Sequence, residues 1–258
     1  TGTLPVNLMF ACEGEEEMGS PHMPQIVAKY RARLASAQGV LFPTTSLGRN
    51  GTASFALGNK GIVYMELEAA GGPGGGPKGT EVHSSVKAAL DSPAWQLVQA
   101  LASMTDRSGN RIIIDGLLDR IRKPTARERQ LFEIYVSGYN AEGAQRSFGV
   151  DRFADNVDAR EALRRRWFDC SLNIDGIWGG YTGPGTKTIL PAKANVKIDF
   201  RLVPDQTAAE VAQLVRRHLD ANGFNEIKIN WWNGYDPSQS DPDSELVRAG
   251  LDVCRSYN

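Results

Sequence analysis

The sequence predicts an α/β fold with helices packed on one face of a sheet. Three observations predict it: a strand–helix–strand succession near the start, the alternating run VKIDFRLVP late in the chain, and the amphipathic helix directly after that run. The composition agrees. Of 258 residues, 41% are hydrophobic and 23% charged, the balance of a globular protein rather than a disordered one. A net charge of −1 supplies no field to recruit nucleic acid or an acidic membrane surface. No apolar run approaches the roughly 18 residues of a membrane span. Cys12, Cys170 and Cys254 are odd in number and lack CxxC spacing, which argues against a disulfide framework or thiolate zinc site and for a reducing cytoplasm. Only His22, His83 and His218 are available to a histidine-rich metal centre.

Leu4 to Cys12 (LPVNLMFAC) is a short apolar run that reads as a buried strand. From Met23 the apolar positions Met23, Ile26, Val27, Tyr30 and Leu34 follow helical spacing, with Ser20 and Pro21 as the helix start. GVLFP (39–43) reads as a second buried strand before a polar loop. Val63, Met65 and Leu67 then share one face of a strand over Ile62 to Glu68, and GGPGGGPKG (71–79) is a flexible loop without a phosphate-binding context. Ser92-Pro93 opens a helix carrying Trp95, Val98, Leu101 and Met104. RIIIDGLL (111–118) is expected as a strand, Pro124 to Ser137 as a helix, and 156–168 as a helix. Its Arg164, Arg165 and Arg166 suit a solvated face or an interface.

CSLNIDGIWGGYTGPGTKTILP reads as two extended pieces around a glycine-rich turn. Val196, Ile198, Phe200 and Leu202 then face one way, and Lys197, Asp199 and Arg201 the other. Val211, Leu214, Val215 and Leu219 mark a helix ending near Gly223, EIKINWW (226–232) a final strand, and the chain from Asp241 a further helix. The sequence starts at Thr1 in an apparent strand without a visible signal peptide and stops in an apparent helix, so an internal piece of a longer chain is expected.

Chemistry concentrates in EGEEEMGSP, where Glu13, Glu15, Glu16 and Glu17 fall within five positions. Like charges this close repel unless a cation or solvent relieves them. Adjacent residues on an extended chain point to opposite sides, so Glu16 and Glu17 need not share a role. One can bind a metal while the other acts as general base. A solvated acidic loop, or the acidic first turn of a helix, is the competing reading. An acidic calcium loop at 13–17 lacks the alternating ligand spacing. Arg201 can grip a carboxylate bidentately, with an ion pair to Asp199 an equal rival. His83 in a polar loop reads by itself as a bystander, Thr188 draws no comment, and His22 and His218 read as surface or packing residues.

PVNLMFACEGEEEMGSP, HSS, GTKTILPAKANVKIDFRLVPDQ and the helix after it closely resemble the dinuclear-zinc amidohydrolases and metallopeptidases, a family including carnosine-type dipeptidases, carboxypeptidase G, aminoacylase and acetylornithine deacetylase. The dipeptidase branch is nearest. The resemblance implies a partial catalytic α/β domain at 1–60, an inserted ferredoxin-like lid and dimerisation domain (an α+β unit) at 61–234, and a return into the catalytic domain at 235–258. It implies zinc-dependent hydrolysis of the amide bond of a dipeptide or N-acyl amino acid, with two zinc ions per subunit, or manganese or cobalt in their place. From the family's E-E-x-G-S motif, Glu16 is the implied general base and Glu17 a metal ligand. His83 matches a lid histidine that crosses a dimer interface to the carbonyl oxyanion, with Glu81 where an aspartate is usual. Arg201 matches the arginine that pairs with the substrate carboxylate, and Thr188, thirteen positions before it, a further substrate contact. The remaining metal ligands of the family fall before Thr1, beyond Asn258, and about Thr44 or Thr45, in a stretch (18 to 65) without Asp or Glu. The fragment alone is therefore expected to be inactive. A non-catalytic homologue serving as a dimerisation or ligand-binding module is the alternative.

Overall fold

The computed structural model describes residues 2–42, 46–47 and 53–257, with the main chain only at 46–47 and 231–232. The chain divides into two units, Thr1–Phe55 with Asp243–Asn258, and Ala56–Pro242. In the first unit, α1 (Met23–Lys29) carries a proline in its opening turn, α2 (Arg31–Leu34) follows, β1 (Ser46–Leu47) pairs with β2 (Ala53–Ser54), and a closing helix spans Glu245–Ser256. Of the strands expected at Leu4–Cys12 and 39–43, none is formed among the described residues. Residues 4–12 and 39–42 join no sheet, and Leu4, Val6, Phe10, Val40, Leu41 and Phe42 are exposed. A strand needs a neighbour for its N–H and C=O groups, and among the described residues of this unit only β1 and β2 pair. Pro43, Thr44 and Thr45 lie outside the described residues.

The second unit is built on β4 (Gly61–Ala70), whose residues alternate between buried and half-buried along its whole length. Entry is through β3 (Gly58–Asn59), and β5 (Val82–His83) follows β4. Then come α3 (Pro93–Met104), α4 (Ala126–Ser137), α5 (Ala141–Phe148), α6 (Ala159–Phe168), β6 (Ser171–Gly179), β7 (Ile189–Leu190), β8 (Lys193–Leu202), α7 (Ala208–Ala221), β9 (Lys228–Tyr235) and β10 (Ser238–Gln239). Four strands form one antiparallel sheet in the order β6-β8-β4-β9. With α3 between β4 and β6 and α7 between β8 and β9, this is the βαββαβ pattern of a ferredoxin-like layer.

Val63, Met65 and Leu67 of β4 and Val196, Ile198, Phe200 and Leu202 of β8 are completely buried beneath α3 and α7, which contribute Leu97, Ala100 and Met104, and Val211, Val215 and Leu219. On α3, Leu97 and Met104 are in the core and Leu101 packs against it, while Trp95 and Val98 are exposed. Ser92 caps the helix at the Trp95 N–H. The phase then follows Leu97, Ala100 and Met104 at the spacing of one helical stripe. RIIIDGLL is no strand. A single bridge links Ile112 to Thr105, and Gly116 turns back at φ 79°, while Ile112, Ile114 and Leu117 drop into the core.

Between α3 and β6, Phe132 of α4 is buried edge-on against Trp167 and Phe168 of α6, at 5.4 and 5.5 Å. Arg164 pairs with Glu161 and Asp169, and Arg165 with Glu161 and Asp155, so these two arginines belong to a solvated ion-pair face. At the start of α4, Thr125 and Glu128 form a reciprocal capping box. Glu128 also takes two bonds from Arg122 at 2.6 and 2.7 Å and one from the Gln239 amide of β10. The Arg122 guanidinium is the main reason its carboxyl falls to about 2.

Phe200→Ala is expected to cost ~3–5 kcal/mol, the range for deleting a buried ring, and Trp95→Ala far less; urea unfolding of the two variants compares them. For Glu128, a depressed folded-state value means stabilisation that is present above the ordinary carboxylate value of 4.5 and is lost as pH falls towards 2. The stability gap between wild type and Glu128→Gln, followed by denaturant titration, is therefore widest near neutrality and closes over that interval.

Candidate active site

The acidic motif folds into a tight turn whose own hydrogen bonds sort its four glutamates. Glu13 accepts from the Glu15 N–H at 2.5 Å and from Ser20 Oγ at 2.6 Å. Glu15 lies 2.5 Å from His22 Nδ1. Those two hold the turn. Glu16 and Glu17 begin a 3₁₀ turn, Glu16–Met18, and both are exposed. Among the described residues, neither of their carboxylates enters a hydrogen bond or ion pair. Gly19, at φ 84°, ends the turn in the left-handed region, which explains a glycine at this point of E-E-x-G-S. Ser20 follows at φ 51°, tied by its hydroxyl to Glu13.

In the second unit the structure brings His83 and Thr188 together. β5 pairs with β7, His83 opposite Ile189, and Ser84 N–H donates to the Thr188 carbonyl at 3.0 Å. His83 Nε2 then lies 3.0 Å from Thr188 Oγ1. Its Nδ1 receives the Ser85 N–H at 3.1 Å and sits 2.8 Å from Ser85 Oγ. Glu81 pairs instead with Lys187 at 2.6 Å, and that ammonium holds its carboxyl below the usual range. The sequence pointed to His83 and Thr188 but missed Ser85, whose only signal is the HSS run.

Arg201 stands apart from this pair. Its Nε donates to Asp199 Oδ1 at 2.7 Å. Asp199 is buried and also accepts from Asn173 at 3.3 Å, while half of the Arg201 side chain is exposed. The ion pair and the carboxylate grip are thus compatible. With Nε engaged, an incoming carboxylate has the two Nη groups. Burial beside Asp199 pushes Asp175 up, and burial pushes Lys60 down where its ammonium meets the Asp169 carbonyl at 2.6 Å. Thr188 precedes the first residue of β8, and Arg201 lies near its last. The eight steps of strand from Lys193 to Arg201 span ~26 Å.

Strand β6 lies at one edge of the sheet, and its Ile174, Ile177 and Trp178 are exposed, as are Trp95 and Val98 of α3. A cavity of about 200 Å³ opens between Ala94, Val98, Ile177, Trp178 and Ala194. His218 is a packing residue, its Nε2 3.1 Å from Ser103 Oγ. Burial pushes the Cys170 thiol to about 11.

Residues 57–226 match the model of the peptidase dimerisation domain of the M20 family. The chain is 30% identical over 241 residues to Beta-Ala-His dipeptidase of Rattus norvegicus, covering 91% of this chain and 47% of that protein. It is 27% identical to the Cys-Gly metallodipeptidase dug1 of Schizosaccharomyces pombe, covering 89% and 49%. Among solved structures it superposes on an M20 family metallo-carboxypeptidase, Sso-CP2 of Sulfolobus solfataricus, with a TM-score of 0.82 and 31% identity, over 95% of this chain and 53% of that one. Human carnosine dipeptidase 1 gives a TM-score of 0.73 at 26% identity, over 95% and 51%. The chain spans about half the length of these relatives.

Two of these names specify a metal enzyme. Among the described residues here, no three His, Cys, Asp or Glu side chains converge on a point that would hold a metal ion. The groups present do not fit a closed metal centre. Calorimetric titration of the 258-residue chain with zinc is expected to give only weak, unsaturated binding; a stoichiometric high-affinity site would mean that the described residues rearrange into one.

Proposed function

The chain belongs to the M20 peptidases through their dimerisation domain, and from that premise we propose that it is part of a zinc-dependent dipeptidase. The reading takes the second unit as the lid and dimerisation domain, and the first as a portion of the catalytic domain. The substrate is a dipeptide or an N-acyl amino acid with a free carboxylate. Zinc, or manganese or cobalt, would activate the amide for hydrolysis in the complete enzyme. Glu17 offers that metal one carboxylate. Glu16 takes a proton from the attacking water and returns it to the leaving amine. Arg201 holds the substrate carboxylate end-on through its Nη groups, with Asp199 keeping Nε occupied. Its three free cysteines agree with a cytoplasmic location, and no helix among the described residues is long and apolar enough to cross a membrane.

The observation that carries the reading is the distance along β8. Arg201 and the His83–Thr188 pair sit at opposite ends of a strand ~26 Å long. An extended dipeptide spans only ~7 Å. Two groups set so far apart along one strand are more readily brought to the same substrate by two protomers than by one. A homodimer does so with Arg201 from one protomer and His83 and Thr188 from the other. The apolar edge at β6 and α3 supports such an assembly, since a strand edge with exposed apolar side chains is a template for pairing. The absence of a converged metal site among the described residues favours the second reading, a non-catalytic dimerisation or ligand-binding module.

Subunit complementation in the complete protein separates the two. Glu16→Gln and His83→Ala variants are each expected to lose turnover of a dipeptide, with Glu16→Gln keeping its metal. Refolded together in equal amounts, they should regain about a quarter of wild-type activity, because half the dimers are mixed and each mixed dimer has one intact site. No recovery on mixing removes the shared site. A wild-type protein without turnover favours the binding module.

A further inference from the structure

We propose that Ser85 is a positioning residue that fixes the His83 proton on Nε2, so that the Thr188 hydroxyl becomes the outward hydrogen-bond donor of the lid. The proposal rests on the reading of His83 and Thr188 as substrate contacts. A backbone N–H only donates, so the Ser85 N–H at 3.1 Å makes His83 Nδ1 an acceptor. The Ser85 hydroxyl, 2.8 Å from the same nitrogen, then donates as well. A neutral imidazole whose Nδ1 accepts carries its hydrogen on Nε2. That N–H faces Thr188 Oγ1 at 3.0 Å, and the threonine oxygen accepts it.

The polarity of the chain follows. Ser85 gives to His83, His83 gives to Thr188, and the Thr188 hydroxyl keeps its own hydrogen to give away. The group it suits is an acceptor, the carbonyl or carboxylate oxygen of a peptide substrate. The β5–β7 pairing and the Ser84 N–H on the Thr188 carbonyl hold the two loops in register. Ser85 adds to the ring a donor that alanine lacks.

Long-range ¹H–¹⁵N spectra of the histidine-labelled 258-residue chain test this without turnover, and its three histidines are assigned by His22→Gln and His218→Gln. His83 is expected to be the Nε2–H tautomer. Ser85→Ala should move its tautomer ratio about fivefold towards Nδ1–H, the effect of one net hydrogen bond, and Ser85→Thr should restore it. Thr188→Val should speed exchange of the Nε2 proton with water. An Nδ1–H majority in wild type, or a ratio that ignores Ser85→Ala, overturns the proposal. The His218 signal, held by Ser103, reports whether the lid remains folded. If Ser85→Ala does not fold, the wild-type tautomer and Thr188→Val decide. These spectra stand apart from subunit complementation, so the tautomer can fail while the dipeptidase reading survives, and the reverse.

Discussion

The antiparallel pairing of β4 with β8 is the constraint on which the second unit depends. Ten residues of each strand run opposite one another without a break, from Gly61 against Leu202 to Ala70 against Lys193. On the covered face, Val63, Met65 and Leu67 oppose Phe200, Ile198 and Val196, and both helices of the layer pack over those contacts. A slip of one residue would turn every one of these side chains outward, so the hydrophobic pattern enforces the register. The same register sets Arg201 on the open face beside Asp199, and it places Thr188 just before the other end of the strand. The positions of the candidate substrate groups are thus consequences of core packing.

Much of this is legible from composition and period. The β8 alternation is visible because one face is wholly apolar and the other carries Lys197, Asp199 and Arg201. The α7 stripe and the cap at Ser92 are equally plain. What escapes sequence reading depends on partners. LPVNLMFAC has the composition of a buried strand but no ladder to join among the described residues of its unit. RIIIDGLL has the β-branched content of a strand, and Gly116 with its left-handed φ turns it into an irregular plug. Trp95 looks like a core residue by size, yet the helix phase set by Leu97, Ala100 and Met104 leaves it outside.

The candidate site divides in the same way. Glu16 and Glu17 are recognisable by motif, but only the turn's hydrogen bonds distinguish them from Glu13 and Glu15, which are spent on Ser20, a backbone N–H and His22. Arg201 offered two readings in sequence, a carboxylate grip or an ion pair with Asp199. Geometry removes the conflict because the guanidinium has more than one edge. Ser85 has no signal of its own, since its importance comes from which nitrogen of His83 it faces.

The short pairing of β3 with β10 has a wider consequence. Asn59 lies opposite Ser238, and Gly58 opposite Gln239, so the chain enters and leaves the second unit side by side. Ala56 and Pro242 are the ends of a unit that carries its own core. A unit with adjacent ends occupies the place of a surface loop in whatever chain hosts it. Such a module can be exchanged or lengthened at little topological cost to its host. The Glu128 contact with Gln239 of β10 ties the start of α4 to that doorway.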